Sequence, residues 1–249
     1  MTVSSDKANP RIDGRIVLVT GANGGLGREF VRQAIERGAA KVYAAARWPE
    51  SWNDDRIQPL PLDITDVAAV ASAVAAAPDV DLLINNAAIA PSGDSIAGPE
   101  AELRRIFETN FFGSLRVANA FAPVLGANGG GTILNILSSA AWVSMPTAYA
   151  ASKAAFWSAT NALRFELEGQ GTQVTGLLVG MIDTPMAAGY DVPKSSPAGV
   201  VAQAYEGVAS GALEVLADDL TRDLKSRLNT PAEGFYPWMH AQLRAFFAG

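Results

Sequence analysis

Strand-like apolar runs alternate with helix-like stretches along most of the chain, and this alternation constrains the fold more than any other feature. Short runs rich in Val, Ile and Leu are separated by longer amphipathic or Ala-rich stretches. Such alternation is typical of a parallel sheet covered by helices on both faces. We therefore expect an α/β fold with a doubly wound parallel sheet of six or seven strands. No linker is long enough to separate two domains, so a single domain over residues 1–249 is predicted.

The pattern places the expected elements along the chain. Strands are predicted at residues 15–20, 41–46, 57–62, 81–86, 132–137 and 173–179. Helices are predicted at residues 25–37, 67–77, 99–125, 148–168 and 198–216. Pro59 and Pro61 indicate that the third strand lies at an edge, because proline donates no hydrogen bond to a sheet.

The ends of the chain carry less pattern. Residues 1–10 are polar and are expected to be flexible, and residues 187–197 are predicted to be a mobile loop. We assign residues 187–216 to a substrate loop and helix and residues 217–249 to a variable C-terminal segment. Within that segment residues 218–237 are expected to be irregular. No clear seventh strand follows the last predicted helix.

Charge and composition exclude several classes of function. A formal net charge of −6 argues against nucleic acid or an anionic membrane as a partner. The chain has no cysteine, which excludes disulfides, thiol catalysis and cysteine-ligated metals. His240 is the only histidine, which argues against a Ser-His-Asp triad and a histidine metal site. We expect no metal. No secretory signal and no apolar run of about 20 residues is seen, so a cytoplasmic protein is predicted.

A glycine-rich turn follows the first predicted strand and opens the first predicted helix. Glycines let a backbone approach a phosphate closely, and a helix N-terminus presents free N–H groups and a positive dipole end. The spacing G-x-x-x-G-x-G differs from the commoner G-x-G-x-x-G, and no G-K-[ST] follows as in a P-loop. An ordinary strand–helix loop is the alternative. The predicted dinucleotide-binding residues of this turn are Gly21, Asn23, Gly24, Gly25, Leu26 and Gly27.

The second predicted strand ends at Ala46, and Arg47 follows it. In dinucleotide-binding folds the adenosine ribose lies here, where an acidic residue suits a 2′-hydroxyl and an arginine suits a 2′-phosphate. Arg47 therefore favours NADP(H) over NAD(H) as cofactor, with a solvent-exposed arginine as the alternative reading. Arg28, just inside the first helix, is predicted to be a surface residue.

Tyr149 and Lys153 form a Y-x-x-x-K pair, which lies on one face of a predicted helix. A cation about 4 Å away at an effective dielectric of about 20 is worth roughly 4 kcal/mol to a phenolate. We therefore expect Lys153 to lower the pKa of Tyr149 and allow proton exchange near neutral pH. The pair alone is weak evidence, because a solvated helix face can carry the same two residues.

Together these motifs resemble the short-chain dehydrogenase/reductase family, in its compact single-domain branch with a Rossmann-like fold. The resemblance covers residues 15–186 and includes the glycine turn, Asn85-Asn86-Ala87 and Tyr149-x-x-x-Lys153. It implies a catalytic tetrad, which would be Asn110, Ser138, Tyr149 and Lys153. It also implies further cofactor contacts, which would be Asp63, Ile64, Asn86, Ala87, Ile182 and Thr184, with Tyr149 and Lys153 touching the cofactor as well.

The implied activity is NADP(H)-dependent reduction of a ketone or oxidation of a secondary alcohol. In reduction, Ser138 would polarise the carbonyl and Tyr149 would deliver the proton. Lys153 would bind ribose hydroxyls and tune the phenol, while Asn110 would position a water for proton supply. The implied partners are a small-molecule carbonyl or alcohol substrate and a second copy of the chain, as a homodimer or homotetramer.

The chain departs from the family pattern at several points. The Ser138–Tyr149 separation, 149 − 138 = 11, is short, and Ser139 is an adjacent candidate. Ala88 stands where the family favours glycine, and Val179 stands where it favours proline. The missing seventh strand favours a six-stranded core or a dimer instead of a tetramer. The apolar tail could close the substrate pocket, pack on another subunit or pack in the core; its large residues are Phe235, Tyr236, Trp238, Met239, Phe246 and Phe247.

Three alternatives have less support from the residues. An epimerase or dehydratase of the extended branch needs an additional substrate domain, for which the chain is short. A halohydrin dehalogenase-like lyase needs neither Lys153 nor the intact glycine turn. A non-catalytic NADP(H)-sensing regulatory module would bind cofactor without turning it over, and the complete tetrad argues against it.

Overall fold

The computed structural model describes residues 12–143 and 145–248, with side chains described as far as residue 245. The prediction of a flexible segment at residues 1–10 lies outside the described residues, as do the side chains of Phe246 and Phe247. The described chain forms a seven-stranded parallel sheet with strand order β3-β2-β1-β4-β5-β6-β7. This is the doubly wound α/β fold expected from the alternation.

The strands are β1 Ile16–Thr20, β2 Lys41–Ala46, β3 Ile57–Pro61, β4 Leu82–Asn85, β5 Thr132–Ile136, β6 Gln173–Leu178 and β7 Glu214–Leu216. The helices are α1 Gly25–Glu36, α2 Val67–Ala76, α3 Glu100–Phe107, α4 Ser114–Ala127, α5 Ala148–Glu166, α6 Pro197–Ser210, α7 Asp219–Arg227 and α8 Ala232–Ala248. None of the helices in the described part of the chain has the length and apolar character needed to cross a bilayer.

The strands are apolar on both sides because both faces of the sheet are covered. Successive residues of β1 alternate between the faces: Val17 and Val19 join one core cluster with α1 and α6, and Leu18 joins the other with α2 and α4. β3, with its two prolines, pairs with β2 alone at the sheet edge. The edge position predicted from the prolines is therefore confirmed.

The C-terminal part corrects three predictions. A seventh strand is present, because β7 pairs in parallel with β6. The predicted helix at residues 198–216 ends at Ser210, since Gly211 adopts φ 72° and stops it. Residues 218–237 are not irregular: they hold α7 and the start of α8. The three-residue β7 is too short for its hydrophobic alternation to be recognised.

The long helix predicted at residues 99–125 is interrupted. Between α3 and α4 the chain makes a π-helical segment, Glu108–Gly113. Gly113 fits there because a Cβ on it would lie 2.9 Å from Cγ1 of Ile64. This widened turn contains Asn110, and π-helical turns occur frequently at functional sites.

Candidate active site

The carboxyl ends of the parallel strands open into one cavity of about 1530 Å³. The loops after the strands line this cavity in the order of the sheet: first the loop after β3, then those after β2, β1, β4, β5 and β6. Ligands of open α/β sheets bind at this edge. All predicted site residues line the cavity except Gly27 and Asn110, which are packed behind its wall.

In the glycine turn after β1, the backbone at Gly27 packs directly against the backbone at Gly21. A Cβ on Gly27 would lie 2.1 Å from the carbonyl oxygen of Gly21, and Gly21 itself has φ 67°. Asn86, at the end of β4, fastens this turn, because its Nδ2 donates to the carbonyl of Thr20 at 2.8 Å. The turn can therefore present backbone N–H groups at a fixed position, as a phosphate site requires.

Arg47 is exposed at one end of the cavity and makes no ion pair with any residue the structure describes. Arg28 does not line the cavity: its guanidinium pairs with Glu50 and lies 5.2 Å from the Trp52 ring centroid. The surface position predicted for Arg28 agrees with this. Of the two arginines, Arg47 is the one that can face a bound phosphate.

Asp63 and Ile64 follow β3 at the same end of the cavity. Asp63 accepts hydrogen bonds from the backbone N–H and the hydroxyl of Thr65, at 2.9 and 2.7 Å. These bonds, with a smaller contribution from the Arg47 charge, lower the pKa of Asp63. Asp63 thus shapes the turn into α2 and keeps an ionised carboxylate at the cavity wall.

Ser138, Tyr149 and Lys153 meet at the end of β5. Tyr149 and Ser138 line the same part of the cavity, and the Ser138 hydroxyl is near enough to influence the pKa of the phenol. Lys153 is 3% exposed, and its Nζ donates to the carbonyl of Ile136 at 2.8 Å. The same Nζ lies 5.7 Å from the Tyr149 ring centroid. The serine, the phenol and the ammonium that the sequence singles out therefore occupy one wall of the cavity.

The ionisation of this group differs from the expectation in one respect. Burial raises the pKa of Tyr149, and the influence of the nearby Ser138 hydroxyl only partly opposes this shift. Burial also lowers the pKa of Lys153 to about 8. The phenol pKa therefore shifts in the direction opposite to the expected one, because burial disfavours the charged phenolate.

Asn110 is fully buried in the π-helical segment. Its Oδ1 accepts from the backbone N–H of Ile89 at 2.8 Å, and its Nδ2 donates to the Ile89 carbonyl at 2.9 Å. Nδ2 also donates to the hydroxyl of Ser152 on α5 at 3.2 Å. Asn110 thus connects the loop that follows β4, the π turn and the tyrosine-bearing helix, and its side chain is occupied by protein groups.

The segment after β6 faces the glycine turn. A Cβ on Gly25 would lie 3.3 Å from the side chain of Thr184, so the two segments are in contact. Ile182 forms an isolated bridge with Ser195, which closes the base of the loop at 183–194. Ala87, Ile182 and Thr184 all line the cavity between the glycine turn and Ser138.

Asp94 is a residue that the sequence analysis missed. Its two carboxylate oxygens accept the backbone N–H groups of Ala148 and Tyr149, at 3.1 and 2.7 Å. Thr147 completes the cap by accepting from the Ala150 N–H at 3.1 Å. Together they satisfy the free donors at the start of α5 and hold the backbone of Tyr149. The Thr147-to-Ala150 cap could have been found from sequence, since threonine is a preferred N-cap residue.

The C-terminal helices form the far end of the cavity, beyond β6. Phe235 and Met239 are buried in a core cluster with Leu137 and Phe156. Trp238 and Met239 also line the cavity, while Tyr236 is 48% exposed. The apolar tail therefore supplies both core packing and a pocket wall, and different members serve each purpose.

Two cation–aromatic contacts hold the C-terminal helices in place, one near the sheet and one between α7 and α8. Nζ of Lys225 lies 4.8 Å from the Trp142 ring centroid and pairs with Glu214 on β7. Arg227 lies 4.4 Å from the Trp238 ring centroid and so joins α7 to α8. No cluster of three or more carboxylate or imidazole groups suited to a metal ion occurs in the part of the chain that the structure describes.

Comparison with known proteins agrees with this architecture. The family model for short chain dehydrogenases matches residues 15–193. An uncharacterized oxidoreductase of Staphylococcus haemolyticus is 33% identical over 193 residues, which are 72% of this chain and 83% of that protein. A galactitol 2-dehydrogenase (L-tagatose-forming) of Cereibacter sphaeroides is 35% identical over 193 residues, 71% of this chain and 74% of that protein.

A solved structure is similar over nearly the whole chain. It is a short chain dehydrogenase from Burkholderia cenocepacia in complex with NADP, 34% identical, with a TM-score of 0.86. The superposition covers 92% of this chain and 99% of that one. The family match, the sheet and the arrangement of Ser138, Tyr149 and Lys153 lead to one conclusion: the chain belongs to the short-chain dehydrogenase/reductase family of oxidoreductases.

Proposed function

We propose that the protein is an NADP(H)-dependent carbonyl reductase or alcohol dehydrogenase, which transfers a hydride reversibly between nicotinamide and a ketone or secondary alcohol. The observation that carries the proposal is the placement of Ser138 and Tyr149 beside buried Lys153, in a cavity that continues to the glycine turn. Acid–base groups at one end and a phosphate cradle at the other match the needs of this reaction class.

The residues around the glycine turn fit a dinucleotide phosphate. A Cβ at Gly21, Gly25 or Gly27 would meet neighbouring atoms, so glycine lets the turn pack closely, and the α1 N-terminus that follows lies at the cavity, where it can offer N–H groups to a phosphate. Arg47 has no ion-pair partner in the described part of the chain and can take a 2′-phosphate. The NADP bound to the 34% identical relative supports the same choice.

The proposed chemistry divides between the cofactor and the chain. Bound NADPH supplies the hydride. Ser138 donates a hydrogen bond to the substrate carbonyl and stabilises negative charge on its oxygen. Tyr149 gives the proton to that oxygen, and its raised pKa keeps the phenol protonated in the reduction direction.

Lys153 and Asn110 supply position and protons in this proposal. With a pKa of about 8, Lys153 is largely protonated at pH 7 and can release and regain a proton near neutrality. It would hold ribose hydroxyls and return a proton to Tyr149. Asn110 keeps the π turn against the Ile89 backbone and would position a water through which protons reach Lys153.

Cofactor choice is tested by titrating the protein with NADPH and NADH and following tryptophan fluorescence. We expect tighter binding of NADPH, and Arg47→Asp should reverse the preference, because a carboxylate repels the 2′-phosphate and accepts a 2′-hydroxyl. Arg28→Asp is the matched control and should keep the NADPH preference. Equal affinities in the unchanged protein would refute the role of Arg47.

The acid is tested with Tyr149→Phe, which removes only the hydroxyl. We expect loss of at least 100-fold in ketone reduction, as for other general acids, with nearly unchanged NADPH affinity. Tyr236→Phe, on the exposed face of α8, is the control and should keep full activity. Retained turnover in Tyr149→Phe would assign the proton to another group. NADPH binding without turnover of any carbonyl would favour a cofactor-sensing module.

We also propose a homodimer or homotetramer. Two large apolar rings are exposed on helical segments, Phe112 at 50% and Phe165 at 84%, and both would be covered in such an assembly. Light scattering of the unchanged protein and of Phe165→Ser would test this, and a monomer at micromolar concentration would contradict it. The cytoplasmic location, and the absence of nucleic-acid and membrane partners, remain predictions from the sequence.

A further inference from the structure

Methionines converge on one end of the cavity. The chain has 5 methionines, of which Met1 lies outside the described residues, and the other four all line the cavity. They are Met145, Met181, Met186 and Met239. They come from the loop before α5, the end of β6, the loop at 183–194 and α8. Three separate parts of the chain therefore contribute the same side chain to one surface, which we call the methionine wall: the loop before α5, the connection between β6 and α6, and α8.

Aliphatic side chains continue the methionine wall. Val143, Leu220, Leu224 and Leu243 line the same end of the cavity, which lies beyond β5 and away from Arg47. The wall is solid at its base, since Leu224 is 3% and Met239 2% exposed, and open at its rim, where Met186 is 47% exposed. This end therefore offers a ligand a large apolar surface next to Ser138 and Tyr149.

The carboxylates at this end, Asp94 and Asp223, already have hydrogen-bond or ion-pair partners within the protein. Asp94 uses both carboxylate oxygens on the backbone of α5. Asp223 pairs with Arg227, one turn further along α7. A charged substrate, or one with many hydroxyls, would lose its water there without gaining charged partners, and burial of unpaired polar groups is costly. An apolar group makes no hydrogen bonds to water, so burying it there leaves no polar group without a partner.

On the basis of the function proposed above, we propose that the substrate is a ketone or secondary alcohol carrying a large uncharged apolar group, which binds against the methionine wall. Methionine is unbranched and polarisable, so such a wall adapts to apolar groups of different shape. The enzyme should therefore accept a range of apolar substrates and discriminate by apolar size more than by exact outline.

The first test compares a homologous series of 2-ketones, from 2-butanone to 2-decanone, with NADPH in excess. Apolar transfer of about 0.8 kcal/mol per methylene corresponds to about a fourfold rise in kcat/KM per added methylene until the wall is covered. Binding of 2-butanol through 2-decanol, followed by tryptophan fluorescence, should rise in parallel, because Trp238 borders the wall. Sorbitol should neither bind nor be oxidised.

Substitution at the rim supplies the second test. Met186→Gln keeps the length of the side chain and adds an amide, and should lower the ratio of kcat/KM for 2-octanone over 2-butanone at least threefold. Met186→Leu should keep that ratio within about twofold, because volume-conserving apolar exchanges are tolerated. Leu213→Gln, at a 61% exposed position outside the cavity, is the control and should leave the ratio unchanged.

The outcomes separate this inference from the function on which it rests. Turnover of sorbitol or of charged keto acids in preference to long 2-ketones would overturn the inference and leave the oxidoreductase proposal standing. Binding of 2-alcohols that rises with chain length, without turnover of any ketone, would support the apolar site and overturn the proposed reaction. Affinity and turnover that do not change along the series would also overturn the inference.

Discussion

Replacing Lys153 by methionine should change how stability depends on pH. Lys153 is 3% exposed, and burial lowers its pKa from 10.5 to about 8. In the unfolded chain the same lysine titrates near its ordinary value. The folded protein therefore binds fewer protons than the unfolded chain between these two pH values. With respect to this group it is most stable above pH 10.5 and loses stability as the pH falls to about 8.

The size of the effect follows from the two pKa values. Since one pKa unit is worth about 1.4 kcal/mol, holding Lys153 in the folded state costs about 3 kcal/mol at pH 7 and about 1 kcal/mol at pH 9.5. Lys153→Met removes this cost at both pH values. The stability of the variant relative to the unchanged protein should therefore fall by about 2 kcal/mol between pH 7 and pH 9.5.

The measurement is urea unfolding followed by far-UV circular dichroism at the two pH values and at one protein concentration. Lys41→Met is the matched control, because the hydrogen bond from Lys41 to Asp79 raises the pKa of Lys41 above 10.5. Its stabilising contribution is fully present below that value, so the stability deficit of Lys41→Met should be the same at pH 7 and pH 9.5.

A difference in unfolding free energy between Lys153→Met and the unchanged protein that is the same at pH 7 and pH 9.5 would show that burial does not lower the pKa of Lys153. A constant difference in which the variant is the less stable protein, as expected for Lys41→Met, would mean that an anionic partner raises the pKa of Lys153. Either result would refute the argument that burial governs this site. The variant should also lose the activity proposed above, so any stability gained at pH 7 would come at the expense of function.

Three further substitutions test the surrounding structure. Asp94→Ala removes the acceptor of two N–H groups at the start of α5 and should lower the unfolding free energy by about 1–2 kcal/mol in urea melts; an unchanged midpoint would contradict the cap. Gly27→Ala places a Cβ 2.1 Å from the Gly21 carbonyl oxygen and should lower the unfolding free energy by about 3 kcal/mol. It should also weaken NADPH binding at least tenfold in fluorescence titration. Unchanged stability and affinity would mean that the turn has room for a Cβ. Tyr205→Phe removes a 2.7 Å hydrogen bond to the α1 backbone and should cost about 1 kcal/mol by thermal unfolding, without change in cofactor affinity.

The sheet was predictable because its strands carry strong signals. β1, β4 and β5 are continuous apolar runs, as buried parallel strands are, and the two prolines of β3 indicated the edge. β7 lacked such a signal, because three residues give no periodicity. The helices that follow it were missed because residues 218–237 are polar, and their positions are set by contacts such as that between Lys225 and Glu214.

Some features of the candidate site were also predictable from the sequence, and others were not. Glycine spacing and the Tyr149–Lys153 pair indicated which residues face the cavity, since local motifs record local geometry. The direction of the Tyr149 pKa shift could not be predicted, because it depends on how much solvent the folded chain removes. Asp94 was missed for a related reason: its partners lie 54 and 55 residues further along the chain, and nothing in its loop indicates them.

The position of α7 and α8 has a consequence for how selectivity could diverge. The family match stops at residue 193, so these helices belong to a portion of the chain that the shared pattern does not specify. Their residues Leu224, Phe235 and Met239 pack in a core cluster, but the helices contribute neither phosphate-binding glycines nor the Ser138–Tyr149–Lys153 group. Evolution, or a designer building chimeras, would therefore alter selectivity by changing the cavity-facing side chains of these two helices, while the core contacts and the residues of the proposed reaction are kept.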